Sequence, residues 1–194
     1  MRRMRFDSLL FCLMLAVQFP VVACLHPTVT KEEFDVKLEL TSPAFKEGES
    51  IPTRHTCDGE DVSPPLKWSG IPEGAKSLAL ICDDPDAPVG TWVHWVLFDL
   101  PRTVTELPEA ISSSEITPQG AKQGTNDFQR LGYGGPCPPP GKPHRYFFKL
   151  YALDTQLGLK ASATKQDVVN AMKGHTVAEG QLMGTYKRLS LIHI

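Results

Sequence analysis

Apolar residues in this chain gather in short runs, and most of the runs read as strands. Val36, Leu38 and Leu40 alternate with Lys37 and Glu39, the two-residue period of a half-buried strand. Leu66-Lys67-Trp68 is a second, shorter strand, ended by Gly70-Ile71-Pro72. Leu78 to Ile81 and Trp92 to Phe98 flank a turn rich in Asp and Pro, and Pro101 closes the second of them. His144 to Leu153 is the clearest strand, apolar enough that both of its faces should be largely covered. The period changes once. Lys165 to Lys173 carries Val168, Val169 and Met172 on one side, with Thr164 as N-cap, Asp167 three residues on and Gly174 as stop, which predicts a helix. Ala178 to Tyr186 is a last strand, whose Gly180 and Gly184 leave room for a neighbour to approach. Many short strands, Pro/Gly turns and one late helix predict a mainly β fold, a β-sandwich.

The connections carry information too. Residues 51–59 read as loop. Residues 102–143 are rich in Pro, Gly and Ser with little periodicity, and a long irregular segment inside a compact domain is usually functional. A length of 194 residues suits one domain with a full-sized core once the front end is set aside. That front end has Arg2, Arg3 and Arg5, an apolar stretch from Leu9 to Val17, and Val21-Val22-Ala23-Cys24. The order basic, apolar, small describes a secretory signal over residues 1–23, too short to span a bilayer comfortably. Val21 to Cys24 also resembles a bacterial lipobox, with Val21 where a leucine is usual, which makes Cys24 a candidate for lipidation. Residues 24–35 read as a tether, 36–188 as the folded domain, and Leu189 to Ile194 as an unassigned tail. The expected localisation is export, to a periplasm or to a membrane through an anchor on Cys24.

Charge and cysteine content narrow the partners. Residues 1–23 hold Arg2, Arg3, Arg5 and Asp7, so without them the 20 basic and 22 acidic residues become 17 and 21, a formal charge of −4. Such a balance leaves no electrostatic footprint for nucleic acid. Beyond Cys24 stand Cys57, Cys82 and Cys137, an odd number, which predicts one disulfide and one buried thiol in an exported protein. No pair has the CxxC spacing of a metal site.

Candidate chemistry concentrates in Ile81 to Trp95. The turn carries Asp84 and Asp86 with Pro85, Pro88 and Gly90, so its carboxylates are held by a stiff backbone at the mouth of two apolar strands. His94 follows, with Trp92 and Trp95 read as core packing on its alternate sides. Taken singly, each of these features has an ordinary explanation: a rigid turn, a satisfied core histidine, a surface His144 at a strand start. Their combination carries more. Asp84-Pro85-Asp86-Ala87-Pro88 with His94-Trp95, then Gly134-Gly135-Pro136-Cys137-Pro138-Pro139 and His144-Arg145-Tyr146, resemble the motifs of the phosphatidylethanolamine-binding protein family, which includes the Raf kinase inhibitor proteins. Thr56-Cys57-Asp58-Gly59-Glu60-Asp61, Ser63-Pro64-Pro65-Leu66 and Gly184-Thr185-Tyr186 resemble its bacterial branch, and the likeness runs from about Leu40 to Arg188.

The resemblance implies a Greek-key antiparallel β-sandwich and a small anion pocket for phosphate or a phosphorylated headgroup. It assigns Asp84, Asp86, Pro88, His94, Gly135, Pro136, His144 and Tyr146 to that pocket. Imidazoles and a phenol can donate to phosphate oxygens, and loop amides around Gly135 can add to them. The aspartates would fix the ring tautomers and favour the protonated rings. The resemblance also implies cis bonds at Ala87–Pro88 and Gly90–Thr91. Cys137 stands where many animal members have a second proline, and His55 is a candidate for the rim. The expected function is a non-catalytic binding protein or kinase-inhibitor-like regulator, with a phosphorylated small molecule or protein segment as ligand, no cofactor, and a membrane reached only through Cys24. A metal-dependent hydrolase is the alternative, since two histidines and two aspartates resemble a ligand set, though without a compact motif such as HExxH. A Ser or Cys hydrolase is the other, and it lacks a GxSxG elbow.

Overall fold

The computed structural model describes residues 37–189, so the signal, tether, Cys24 and most of the tail lie outside the described residues. Among the described residues eight strands and one α-helix form, in order β1 (Glu39–Thr41), β2 (Leu66–Ser69), β3 (Ser77–Asp84), β4 (Trp92–Pro101), β5 (Glu106–Leu107), β6 (Lys122–Gln123), β7 (His144–Leu153), α1 (Lys165–Met172) and β8 (Thr176–Tyr186). A small sheet has the order β1-β2-β5, and a large one β6-β4-β3-β7-β8, with every strand pair antiparallel. In the large sheet β7 returns after a long excursion to lie against β3, on the side away from β4 and β6. That is the Greek-key step.

Alternation along the strands builds two cores. Leu78, Leu80 and Cys82 of β3, with Tyr146, Phe148 and Leu150 of β7, face inward against Leu40, Leu66 and Trp68 of the small sheet. Ala79 and Ile81 of β3, with Val96 and Phe98 of β4, face outward and are covered by Val168 and Met172 of α1. All eight residues of β3 are therefore buried, which explains its unbroken apolar run. Burying each large side chain here contributes about 1.5–3 kcal/mol. β7 is less covered than its sequence suggests: its outward Phe147, Lys149 and Tyr151 are only half-buried, because α1 reaches over the β3–β4 side.

The helix forms where predicted, and Thr164 and Asp167 complete a reciprocal capping box. Residues 51–59, read as loop, include one 3-10 turn at Thr53–His55. The irregular segment 102–143 contributes only the two-residue strands β5 and β6. A Cβ at Gly180 would fall 2.1 Å from the Leu38 carbonyl oxygen, so β1 and β8 can approach only because that residue is glycine. Cys57 and Cys137 form a disulfide across 80 residues, and Cys82 is a buried free thiol. Every peptide bond in the described residues is trans, so neither Ala87–Pro88 nor Gly90–Thr91 has the cis geometry that the resemblance implied.

Candidate functional site

One register shift makes the site. Cys82 pairs with Trp95 and Asp83 with Val93, leaving His94 as an extra residue on β4. Val93 and Val96 both face the outer core. Trp95 faces the inner core, and the His94 ring stands edge-on to Tyr146, 5.1 Å between centroids, on that same inner face. Strict alternation would have sent His94 outward under the helix. The bulge turns it inward, at the end of the sandwich where β3, β4 and β7 meet the loops.

A cavity of about 220 Å³ lies there, lined by Asp84, Ala87, Pro88, Val89, Trp92, His94, Phe128, Cys137, Pro138, Pro139, His144 and Tyr146. Its polar groups are few, and nearly all are spoken for. Asp84 is almost fully buried; its Oδ1 accepts the Asp86 amide at 2.7 Å and its Oδ2 accepts His144 Nδ1–H at 2.8 Å. The carboxylate thus fixes both the turn and the ring, and leaves His144 with Nε2 alone for a ligand. The His94 ring donates Nδ1–H to the Gly134 carbonyl at 2.6 Å, while the Gly134 amide donates back to the His94 carbonyl at 2.9 Å. It too has only Nε2 to offer. Burial pushes the His94 pKa down, against smaller upward effects from the Gly134 carbonyl and Asp84, so this ring is held neutral rather than protonated. The nearby aspartate does favour the charged form, as expected, but desolvation of the ring outweighs it.

Tyr146 is the exception to this satisfaction. Its side chain is completely buried, and among the described residues its hydroxyl makes no hydrogen bond of good geometry, the Asp84 carboxylate being near but poorly aligned. Burial first, and the nearby Asp84 charge second, push its ionisation far up, so it is a neutral phenol and a potential donor.

Three residues assigned to the pocket by resemblance do other things. Asp86 turns outward and grips Arg145, accepting from Nη2 at 2.7 Å, from Nε at 2.9 Å and from the backbone amide at 3.0 Å. The Arg145 hydrogen bond holds its carboxyl down at about 2. Gly135 spends its amide on Asp61 Oδ1 at 2.6 Å, so it has no N–H for an anion. A Cβ there would meet the His55 carbonyl oxygen at 2.4 Å, which makes glycine obligatory. Pro136 is buried behind the cavity wall, and its carbonyl accepts from the Cys57 amide at 3.1 Å. His55 is buried away from the cavity, its Nδ1 bonded to the Val62 carbonyl.

The sequence missed two aromatic walls. Trp92, assigned to core packing, lines the cavity, and Phe128 stands edge-on to both Trp92 and His94 at 5.5 and 5.4 Å. Phe128 is positioned by Asn126, a buried side chain that accepts from the Phe128 and Arg130 amides and donates to the Gly132 carbonyl. Nothing in the aperiodic segment around it marks Phe128 from sequence alone. Among the described residues, no group of three or more His, Cys, Asp or Glu side chains is placed to hold a metal ion.

Comparison with known proteins matches the fold. Residues 41–187 fit the phosphatidylethanolamine-binding protein family model. The chain belongs to that family. A UPF0098 protein of Methanothermobacter thermautotrophicus is 54% identical over 151 residues, spanning 78% of this chain and 99% of the relative. Another UPF0098 protein, from Aquifex aeolicus, is 51% identical over 154 residues, spanning 78% and 89%. Among solved structures, E. coli YbcL, described as a member of the mammalian PEBP family, superposes with a TM-score of 0.74 at 38% identity, covering 78% of this chain and 99% of that one. The phosphatidylethanolamine-binding protein homolog CT736 of Chlamydia trachomatis gives 0.71 at 40%, covering 79% and 99%. The family fold is therefore present from β1 to β8.

Proposed function

We propose that this member of the phosphatidylethanolamine-binding protein family is a non-catalytic binding protein whose cavity takes a phosphorylated headgroup or small molecule. The observation that carries the reading is the Tyr146 hydroxyl, a buried donor without a partner in a cavity shared with His94 and His144. A buried polar group left unpaired costs about 1–3 kcal/mol, and a ligand oxygen would satisfy it. Among the described residues no Lys or Arg lines the cavity, and Asp84 sits within it, so a dianion is poorly matched. A phosphodiester carries one charge, and its organic arm has Trp92, Phe128, Pro138 and Pro139 to lie against. That makes a headgroup such as glycerophosphoethanolamine a better fit than free phosphate. The same charge argument favours a diester over phosphorylated protein segments, whose monoesters carry close to two charges, so the regulator reading is the less well supported of the two.

Hydrolase readings are less well supported by the same residues. Cys137 is locked in a disulfide, Cys82 is a buried thiol pushed well up by desolvation, and no serine among the described residues lines the cavity. Titration calorimetry with glycerophosphoethanolamine tests the binding reading. Each ring gives its Nδ1–H to the protein, so it can donate to the phosphodiester only if the ligand brings a proton to Nε2; with that uptake, His94→Ala and His144→Ala should each lose about 1.5–3 kcal/mol, the range for a hydrogen bond to a charged group. Wild-type affinity in both variants would place the ligand elsewhere. Export and anchoring complete the proposal, on the sequence of residues 1–24 alone. Mass spectrometry of the mature N-terminus decides them: an intact Met1 would remove export, and an unmodified Cys24 would remove the lipid anchor.

A further inference from the structure

We propose that the Cys57–Cys137 disulfide is a redox latch on one wall of the cavity, so that its reduction opens the binding site while the fold persists. The inference rests on the ligand site proposed above and adds a control to it. Cys137, Pro138 and Pro139 form that wall. Up to Pro136, the loop is tied down residue by residue. The Gly134 amide and carbonyl both bond to His94, the Gly135 amide bonds to Asp61, and the Pro136 carbonyl accepts from the Cys57 amide. At its far end, His144 enters β7 opposite Tyr186. Residues 137–143 between them make no hydrogen bond to any described residue, through backbone or side chain.

The reason is chemical. Four of these seven residues are Pro138, Pro139, Pro140 and Pro143, which have no N–H to give. The disulfide is therefore the bond that fastens this wall to the body. Its other end is firmly placed. Tyr133 donates its hydroxyl to the His55 carbonyl at 2.8 Å, and Asp58 accepts from the Tyr186 hydroxyl at 2.9 Å. Cys137 is exposed on the surface, where a thiol can reach it, whereas Cys57 is half-buried. A dithiol reductant supplies the two electrons. Its thiolate attacks Cys137 Sγ, the Cys57 sulfur leaves as thiolate and takes up a proton, and the second thiol of the reductant resolves the mixed disulfide, freeing Cys137 as a thiol. The mouth of the cavity then has its Asp84, His94, His144 and Tyr146 floor intact and one wall loose.

The test uses the full chain, oxidised and then reduced with dithiothreitol, with a Cys57→Ser/Cys137→Ser variant alongside. Two readouts are taken: 15N relaxation of residue 137 in the wall and of Gly141 and Lys142 just beyond it, the three amides of residues 137–143, and the dissociation constant for glycerophosphoethanolamine. The latch predicts ordered amides in the oxidised chain and order parameters below about 0.6 after reduction. It also predicts at least a tenfold weaker affinity on reduction, recovered on reoxidation, with the Asn126 and Gly132 amide shifts unchanged. Unchanged order at residue 137, Gly141 and Lys142 would overturn it, and so would loosened amides with unaltered affinity. A reduced chain that loses its native spectrum would overturn it as well, because the disulfide would then hold the fold rather than one wall. If the oxidised chain does not bind the probe at all, the headgroup reading fails, and the relaxation data alone decide whether the wall is latched.

Discussion

Tyr146→Phe should move stability and affinity in opposite directions, and both movements follow from one oxygen atom. The ring is completely buried in the inner core and packs edge-on against His94. Phenylalanine keeps that packing and removes only the hydroxyl, which makes no well-formed hydrogen bond among the described residues. Leaving such a group unpaired inside a protein costs about 1–3 kcal/mol, so its deletion should stabilise the ligand-free chain by roughly 1 kcal/mol. For a domain of this size, that raises the melting temperature by about 2–4 °C. With a ligand bound, the balance reverses. A phenol donating to a charged phosphate oxygen contributes about 1.5–3 kcal/mol, so the variant should bind glycerophosphoethanolamine roughly ten- to a hundredfold more weakly. Thermal unfolding with and without the probe, followed by calorimetry on both proteins, reads the two effects separately. A ligand-free variant that melts at a lower temperature than wild type would refute the reasoning, because the hydroxyl would then have a partner worth keeping.

Four further outcomes follow. His94 has a folded pKa below its ordinary value, so its stabilising contribution is complete above the unfolded pKa of about 6.5 and is lost as pH falls through the folded value; urea titrations from pH 8 to 5 should show that loss, and His94→Gln should flatten it. A bound phosphodiester, by contrast, favours the protonated ring, so headgroup affinity measured calorimetrically should rise as pH falls over the same range. Asp86 is held at about 2 by Arg145, so its contribution is present above the unfolded value of about 3.9 and is lost only as pH falls towards 2; both side chains are substantially exposed, so Asp86→Asn should cost about 0.5–1 kcal/mol by chemical denaturation at pH 7. The disulfide closes a loop of 80 residues, and on the chain-entropy account Cys57→Ser/Cys137→Ser should lower stability by about 4.5 kcal/mol, read from the denaturant midpoint at unchanged slope.

Much of the architecture was written in the sequence because it depends on short-range periodicity. β7 spans the predicted residues, and α1 ends within one residue of its prediction, since alternation and a Thr164–Asp167 capping box are local signals. The family motifs carried the Greek-key order, which no periodicity could supply. They also named Asp84, His94, His144 and Tyr146, the four polar side chains that the fold brings to one cavity. Tertiary structure decided the rest. Whether His94 faces the helix or the cavity turns on one extra residue in β4, and a bulge is a property of two paired strands, not of either sequence. Asp86 looks identical to Asp84 on paper, yet it leaves the cavity because Arg145, 59 positions away, offers it a planar bidentate partner. The Gly135 amide could have met a ligand but is consumed by Asp61, and Phe128 becomes a wall only through Asn126. Local patterns fix what each segment will form. Which polar groups remain free for a ligand depends on how distant segments satisfy one another, and that is settled only when the chain has closed on itself.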